Sequence, residues 1–150
     1  MTTRLNNLRA QFRALNIDAF LVTHPPHVRY LSNFSGSNGI GLVTKRGAIF
    51  LTDSRYREQI KSEVKGWKTI VASGGLFAEL RRQKLIGSGM RVGIDGNAMV
   101  LNQFQELKRN HPSARFLPKV EVIDRLAAVK DADEIRKIAK AVSITDRVFT

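Results

Sequence analysis

The sequence contains no cysteine, which excludes a disulfide framework, a thiolate metal site and a thiol nucleophile. It also lacks long apolar runs, since stretches such as 19–22 and 49–51 fall far short of the ~18 residues that cross a bilayer. The first twenty residues mix charged and apolar side chains, unlike a secretion signal. We therefore expect a cytoplasmic protein with no membrane partner.

Acidic residues are scarce: 13 Asp and Glu stand against 25 Lys and Arg, for a net charge of +12. Such a balance is found in proteins that bind nucleic acid, an anionic surface or an acidic domain. The basic residues are spread along the chain, however, and only 7% of residues are aromatic. This distribution is typical of solvated helix faces, so a nucleic-acid partner is not expected.

The hydrophobic pattern predicts alternating helices and strands. Two short apolar runs, 40–44 and 48–52, are joined by a glycine-containing turn and predict an antiparallel hairpin. Asn16 is predicted to end the first helix in a left-handed conformation. The other predicted elements are helices over 5–15, from 25, over 56–64, 76–86 and around 100–107, and strands over 17–22, 67–72, 91–95 and 114–117, the last stopped by Pro118. This alternation predicts an α/β fold with a mixed sheet of about six strands, flanked by helices.

The last twenty residues predict a long amphipathic helix. Asp131 and Glu134 form a capping pattern, and apolar residues then recur three and four apart up to Thr150. No glycine, proline or polar tail follows. We therefore expect one domain over 1–130 and, over 131–150, the start of a linker helix into a further domain.

The glycines at 36, 39 and 41 raise the possibility of a phosphate-binding loop. Their order is not that of a dinucleotide-binding loop, and they precede a strand where such a loop would precede a helix. The segment is better explained as a helix-to-strand connection that requires a permissive backbone at Gly36, Asn38 and Gly39.

Candidate catalytic groups are few. The histidines, His24, His27 and His111, have no carboxylate near them in sequence and predict no metal site. Asp53 and Asp95 both follow apolar strands, where a metal-dependent nuclease places its carboxylates. The competing explanation is that Asp53 caps the next helix and Asp95 begins a turn.

Four segments together carry a family resemblance. "HVRYLSNF" (27–34), "IFLTDSRY" (49–56), "RVGID" (91–95) and "VKDADEIRKIAKAVSITD" (129–146) resemble, in order, the N-terminal domain of creatinase, prolidase and aminopeptidase P. The residues that carry the motif are Tyr30, Leu31, Phe34 and Asp53. Two positions depart from the family pattern, with His27 in place of Asn and Asn33 in place of Gly.

The resemblance implies the family's N-terminal fold, with a ribonuclease H-like motif, in a non-catalytic domain that is inactive alone. It implies a longer Xaa-Pro metallopeptidase that hydrolyses the bond before proline in dipeptides or longer peptides. That enzyme would hold two divalent ions (Mn, Co or Zn) through ligands beyond Thr150, with no metal in residues 1–150. A homodimer is implied too, in which Arg55 and Tyr56 reach toward the substrate entrance of the partner subunit.

Two alternatives stay open at this point. The domain could belong to a creatinase-like amidinohydrolase or a non-peptidase relative, which would share this half of the chain. It could instead be a nucleic-acid-binding domain or metal-dependent nuclease, for which Asp53, Asp95 and the positive charge would be the evidence.

Overall fold

The computed structural model describes residues 3–149, which form one six-stranded mixed sheet with helices on both faces. The strands are β1 (Ala19–Val22), β2 (Gly39–Thr44), β3 (Ala48–Asp53), β4 (Lys68–Ala72), β5 (Arg91–Asp95) and β6 (Arg115–Lys119). The helices are α1 (Thr3–Ala10), α2 (Phe12–Leu15), α3 (Pro25–Ser32), α4 (Arg57–Glu63), α5 (Leu76–Arg82), α6 (Leu101–Asn110), α7 (Val122–Ala128) and α8 (Ala132–Phe149). A 3-10 turn (Ser54–Tyr56) links β3 to α4.

The strand order is β4-β3-β2-β1-β5-β6, and β2 is the strand that runs against the others. Strands β2 and β3 form the predicted hairpin, with Leu42 opposite Ile49 and Val43 opposite Ala48. The remaining pairings, β1 with β5, β3 with β4 and β5 with β6, are parallel. The predicted mixed six-stranded sheet is thus confirmed.

Each face of the sheet has its own core, because successive strand residues point to opposite faces. In β1, Phe20 packs with one core and Leu21 with the other. The first core is covered by α1, α2, α3, α4 and α7, and the second by α5 and α6. No helix within residues 3–149 is long and apolar enough to span a membrane.

Two helices end at a left-handed asparagine, and the first of these, Asn16, was predicted. Asn16 has φ 54° and ψ 46° after α2, and Asn33 has φ 64° after α3. Asparagine tolerates this conformation better than most residues. Asn33 therefore fulfils the role that glycine has in the family pattern, since it lets the chain turn sharply out of α3.

Helix α5 ends earlier than the sequence predicts, at Arg82 instead of Ile86. Lys84 adopts φ 52°, and its N–H donates to the carbonyl of Arg81 while the N–H of Leu85 donates to that of Leu80. These two bonds form a Schellman motif, which ends a helix wherever a residue accepts the left-handed conformation. Lys84 is that residue here, so the sequence has no glycine at the position where the helix ends.

The last strand and helix of the body also differ from the prediction. Strand β6 runs through Pro118 to Lys119 instead of stopping before the proline. Because β6 is an edge strand paired with β5 alone, the missing N–H of proline leaves no partner unsatisfied. Helix α7 was not predicted, although Ile123 is buried within it. The first predicted helix is divided into α1 and α2 at Gln11.

The close approach of β1 and β5 gives a test of the central packing. A Cβ on Gly93 would lie 2.9 Å from Phe20 Cδ2 and 3.0 Å from Ile17 Cδ1. We expect Gly93→Ala to lower the free energy of unfolding by about 1–3 kcal/mol through overpacking, as measured by urea denaturation. Gly47→Ala is the matched control, because a Cβ there meets nothing within 4 Å. Equal stability of the two variants would contradict this packing.

Candidate functional site

The predicted entrance residues lie at one edge of the sheet, beyond the carboxyl end of β3. We call this region the loop site and define it by the 35–38 loop together with Asp53, Arg55 and Tyr56. A cavity of about 350 Å³ adjoins the loop and is also bordered by the 74–77 segment and by side chains of α6.

An aromatic cluster fixes the position of the loop. The ring of Phe34 lies 4.9 Å from that of Phe50 and 5.2 Å from that of Tyr56, measured between centroids. A Cβ on Gly36 would be only 2.4 Å from Phe34 and 2.7 Å from Tyr56. The loop can therefore follow this path only because residue 36 has no side chain.

The other two glycines of the 36–41 pattern serve the same purpose. A Cβ on Gly39 would lie 2.6 Å from Phe50, and a Cβ on Gly41 would lie 2.9 Å from Trp67. None of the three has a left-handed φ. The expectation that Gly36, Asn38 and Gly39 supply a left-handed backbone was thus wrong: none has a positive φ, and the two glycines supply space for aromatic rings. In the loop itself, the backbone N–H groups of Ser35 and Ser37 donate to Glu63 and Tyr56 and are not free to bind phosphate.

Asp53 caps the 3-10 turn, which confirms the capping explanation. Its Oδ1 accepts from the backbone N–H and from Nε of Arg55, each at 3.0 Å, and its Oδ2 accepts from Nη2 of Arg55 at 2.8 Å. The side-chain amide of Asn38 donates to the same carboxylate. The hydrogen bonds from Arg55 and Asn38 lower the pKa of Asp53 well below its usual range.

Arg55 and Tyr56 differ in how firmly they are held. The guanidinium of Arg55 is paired with Asp53 on one edge, yet 67% of its side chain is exposed. The hydroxyl of Tyr56 lies 2.7 Å from Ser37 Oγ, and its hydrogen bonds with Ser37 lower the pKa of the phenol. The loop site thus presents an exposed cation beside a phenol that Ser37 holds in place.

The other motif residues have structural positions. Leu31 is buried in the first core, on the inner side of α3. Tyr30 donates its hydroxyl proton to the carbonyl of Leu126 at 3.1 Å, and the guanidinium of Arg4 stacks 4.5 Å from its ring centroid. Tyr30 therefore joins α3 to α1 and α7, on a different part of the molecule from the loop site.

The two strand-end aspartates cannot form a shared metal site. Strands β3 and β5 are separated by β2 and β1, so Asp53 and Asp95 are three strand spacings apart, roughly 14 Å. Asp95 accepts from the backbone N–H of Asn97 at 3.2 Å, which is the predicted turn. The geometry gives the nuclease alternative no support.

The structure contains one cluster of polar side chains that the sequence analysis did not predict. Imidazole nitrogen Nδ1 of His27 lies 2.6 Å from Oδ2 of Asp95, and its Nε2 lies 3.1 Å from Oδ1 of Asp124. Local sequence gave no signal for this cluster, because His27 and Asp124 are 97 positions apart. His111 is separate, with Nδ1 3.3 Å from the carbonyl oxygen of Leu107, and burial lowers its pKa.

A family model described as the creatinase/prolidase N-terminal domain matches residues 4–129. The chain belongs to this family, as the motifs around Tyr30 and Asp53 indicated.

Known relatives are peptidases. The chain is 32% identical over 147 residues to the "Uncharacterized peptidase YqhT" of Bacillus subtilis, covering 97% of this chain and 41% of that protein. It superimposes on an Xaa-Pro dipeptidase from Bacillus anthracis with a TM-score of 0.83 at 27% identity, covering 98% of this chain and 43% of that one. It therefore spans less than half of both.

A third match is a domain crystallised on its own. The N-terminal domain of the cytoplasmic peptidase PepQ from Mycobacterium tuberculosis superimposes with a TM-score of 0.73 at 25% identity, covering 84% of this chain and 99% of that one. That domain is thus a folding unit without the remainder of its own protein.

The Asp53 cap gives a pH-dependent test of the loop site. Because pairing lowers the pKa of the folded carboxyl below the unfolded value of ~3.9, the stability it contributes is present above that pH and lost as the pH falls. We expect Asp53→Ala to lower the free energy of unfolding by about 1 kcal/mol at pH 7, with the difference narrowing between about pH 5 and pH 2.

Urea denaturation across this pH range measures the effect. The control is Glu58→Ala, which removes an exposed carboxylate paired with Lys61 on the surface of α4. We expect that variant to change stability by less than about 0.5 kcal/mol at every pH. A pH-independent effect of Asp53→Ala would contradict the proposed pairing.

Proposed function

We propose that this chain is the non-catalytic N-terminal domain of a cytoplasmic Xaa-Pro metallopeptidase, either a dipeptidase or an aminopeptidase P. The observation that carries the proposal is the family match over residues 4–129, in a chain that spans 43% of an Xaa-Pro dipeptidase. In such an enzyme two divalent ions, held by the other domain, would supply the hydrolytic chemistry. The described residues would then bind and position, not react.

The exposed face of α8 supports a neighbouring domain. Apart from Glu134, all described residues of this helix are exposed, although its sequence is amphipathic. The exposed apolar side chains of α8 are Ile135, Ile138, Val142, Ile144, Val148 and Phe149. Ile135, Ile138, Val142 and Phe149 share one face of the helix, and an exposed apolar stripe of this length is costly in water. We infer that the catalytic domain covers it.

The first turn of α8 is anchored to the body of the domain. The capping pattern is formed as predicted, since the N–H of Glu134 donates to Asp131 Oδ1 at 2.9 Å and that of Asp131 donates to Glu134 Oε2 at 3.0 Å. Arg4 pairs with both carboxylates, at 2.6 Å and 3.2 Å. These contacts fix the direction in which α8 leaves the domain, as a linker helix requires.

The net charge of +12 fits the same arrangement. A catalytic domain that holds metal ions through carboxylates is rich in acidic groups, and a basic accessory domain complements it electrostatically. The charge therefore needs no nucleic-acid partner.

Within a homodimer, we propose that the loop site narrows the substrate entrance of the partner subunit. The exposed guanidinium of Arg55 is positioned by Asp53 and is the group able to meet a peptide carboxylate. Tyr56 is held by Phe34 and Ser37, so that its phenol stays beside Arg55.

The activity test compares this chain with the longer enzyme that contains it, both supplied with Mn²⁺. We expect the longer enzyme to release proline from an Xaa-Pro dipeptide or to remove the residue before proline in a longer peptide, and the 150-residue chain to do neither. Hydrolysis by the short chain would contradict the accessory role. Cleavage of creatine without cleavage of either peptide would identify the amidinohydrolase alternative.

The entrance role is tested by Arg55→Ala and Tyr56→Phe in the dimeric enzyme. We expect Arg55→Ala to lower kcat/KM for the peptide substrate by about tenfold, mainly through KM, because a binding contact is lost and the metal site is intact. Tyr56→Phe should have a smaller effect, because the ring and its packing remain. Arg57→Ala, on the adjacent exposed position of α4, is the control. Unchanged kcat/KM in Arg55→Ala would contradict the entrance role.

A further inference from the structure

The cluster formed by His27, Asp95 and Asp124 lies apart from the loop site and has no role in the proposed peptidase reaction. It joins three elements: His27 is on α3, Asp95 ends β5, and Asp124 is in the first turn of α7. His27 is 7% exposed and Asp95 is 4% exposed, whereas the side chain of Asp124 is 53% exposed. The group is thus buried on one side and open to solvent on the other.

A neutral histidine cannot donate a hydrogen bond to both carboxylates. A neutral imidazole has one N–H donor and one acceptor nitrogen, while an ionised carboxylate only accepts. Because both nitrogens of His27 face carboxylate oxygens, either tautomer sets an imidazole lone pair against a carboxylate lone pair. The cluster therefore calls for an added cation, either a second proton or a metal ion.

The geometry at Nδ1 of His27 also shows that a hydrogen bond is missing. Oxygen Oδ2 of Asp95 is 2.6 Å from Nδ1 of His27, a charge contact without the geometry of a hydrogen bond. Nδ1 is consequently a buried atom without an aligned hydrogen-bonding partner among residues 3–149. A buried polar atom in this condition is rare in folded proteins, and here it shows that the charges of the cluster are not balanced by protein groups alone.

The distance between Nε2 of His27 and Oδ1 of Asp124 is one expected for two ligands of the same ion. Atoms that are each about 2.1 Å from a metal lie roughly 3.0 Å apart at a right angle and roughly 3.4 Å apart at the tetrahedral angle. Nε2 of His27 and Oδ1 of Asp124 are 3.1 Å apart. Nδ1 of His27 and Oδ2 of Asp95, at 2.6 Å, are too close for the same ion. Asp95 therefore lies outside the first shell, where its negative charge strengthens the imidazole as a metal ligand.

A second imidazole stands beside the first. The ring of His24 is edge-on to that of His27, with centroids 4.7 Å apart, and it is half-buried at the start of α3. Imidazole and carboxylate donors together favour zinc, cobalt and similar ions over magnesium and calcium, which prefer oxygen ligands alone.

We propose that this cluster is a binding site for a divalent transition-metal ion such as Zn²⁺, with Nε2 of His27 and the carboxylate of Asp124 as ligands. The carboxylate of Asp95 lies against the opposite side of the imidazole, where its negative charge favours a cation on Nε2, and the exposed side of Asp124 is the entry path. The ion ties α3 to α7, the helix that immediately precedes α8.

The test is isothermal titration of the chelator-treated 150-residue chain with ZnCl₂, and with CoCl₂ monitored by visible absorption. We expect one ion per chain, and an increase in Tm when Zn²⁺ is present. His27→Asn, which restores the family's usual residue, should abolish binding. Asp95→Asn should weaken it about 10–100-fold, as loss of a second-shell carboxylate does.

Two further variants distinguish loss of the site from misfolding and from metal binding elsewhere on the surface. Asp124→Asn alters a half-exposed carboxylate, so it should weaken Zn²⁺ binding at least tenfold without loss of the fold. Asp133→Asn, which removes an exposed carboxylate paired with Arg136 in α8, should leave the affinity unchanged. No saturable binding, or binding that survives both His27→Asn and Asp124→Asn, would overturn the proposal and leave a proton as the cation that His27 shares with the carboxylates.

Discussion

The packing of Phe34 against two residues without side chains is the constraint on which the loop site depends. Gly36 and Gly39 lie so close to aromatic rings that any Cβ would displace them. Because the rings of Phe50 and Tyr56 complete the same cluster, the 35–38 loop is held against β3. This places Ser37 at the hydroxyl of Tyr56 and Asn38 at the carboxylate of Asp53. The polar groups of the site are thus positioned by an apolar interaction.

Local features of the fold could be predicted from the sequence, because each depends on residues close together in the chain. The β2–β3 hairpin, the left-handed Asn16 and the cap at Asp53 are examples. The end of α5 could not be predicted, since a lysine adopts the left-handed conformation that glycine usually takes. The extent of β6 could not be predicted either. Pro118 is tolerated within this strand because β6 lies at an edge of the sheet.

Sites that depend on strand order could not be predicted from the sequence either, because residues far apart in the chain form them. Asp53 and Asp95 looked equivalent, as two acids after two strands, yet β1 and β2 lie between those strands. The insertion of β5 beside β1 instead brings Asp95 to His27, and the unpredicted α7 supplies Asp124. Family motifs identified the fold because they summarise such long-range constraints, but His27 departs from the motif, and its neighbours had to be found in three dimensions.

We propose that this domain folds by itself and that α8 is a linker helix whose partner is a catalytic domain. Hydrogen exchange tests it most directly, because an isolated helix of this length is marginal in water while a sheet core is protected. In the 150-residue chain, amides of β1, β2 and β5 should exchange slowly, and those of α8 beyond its first turn should exchange almost as fast as in an unfolded peptide. In the longer enzyme α8 should become protected. Protection of α8 equal to that of β1 in the short chain would contradict the account.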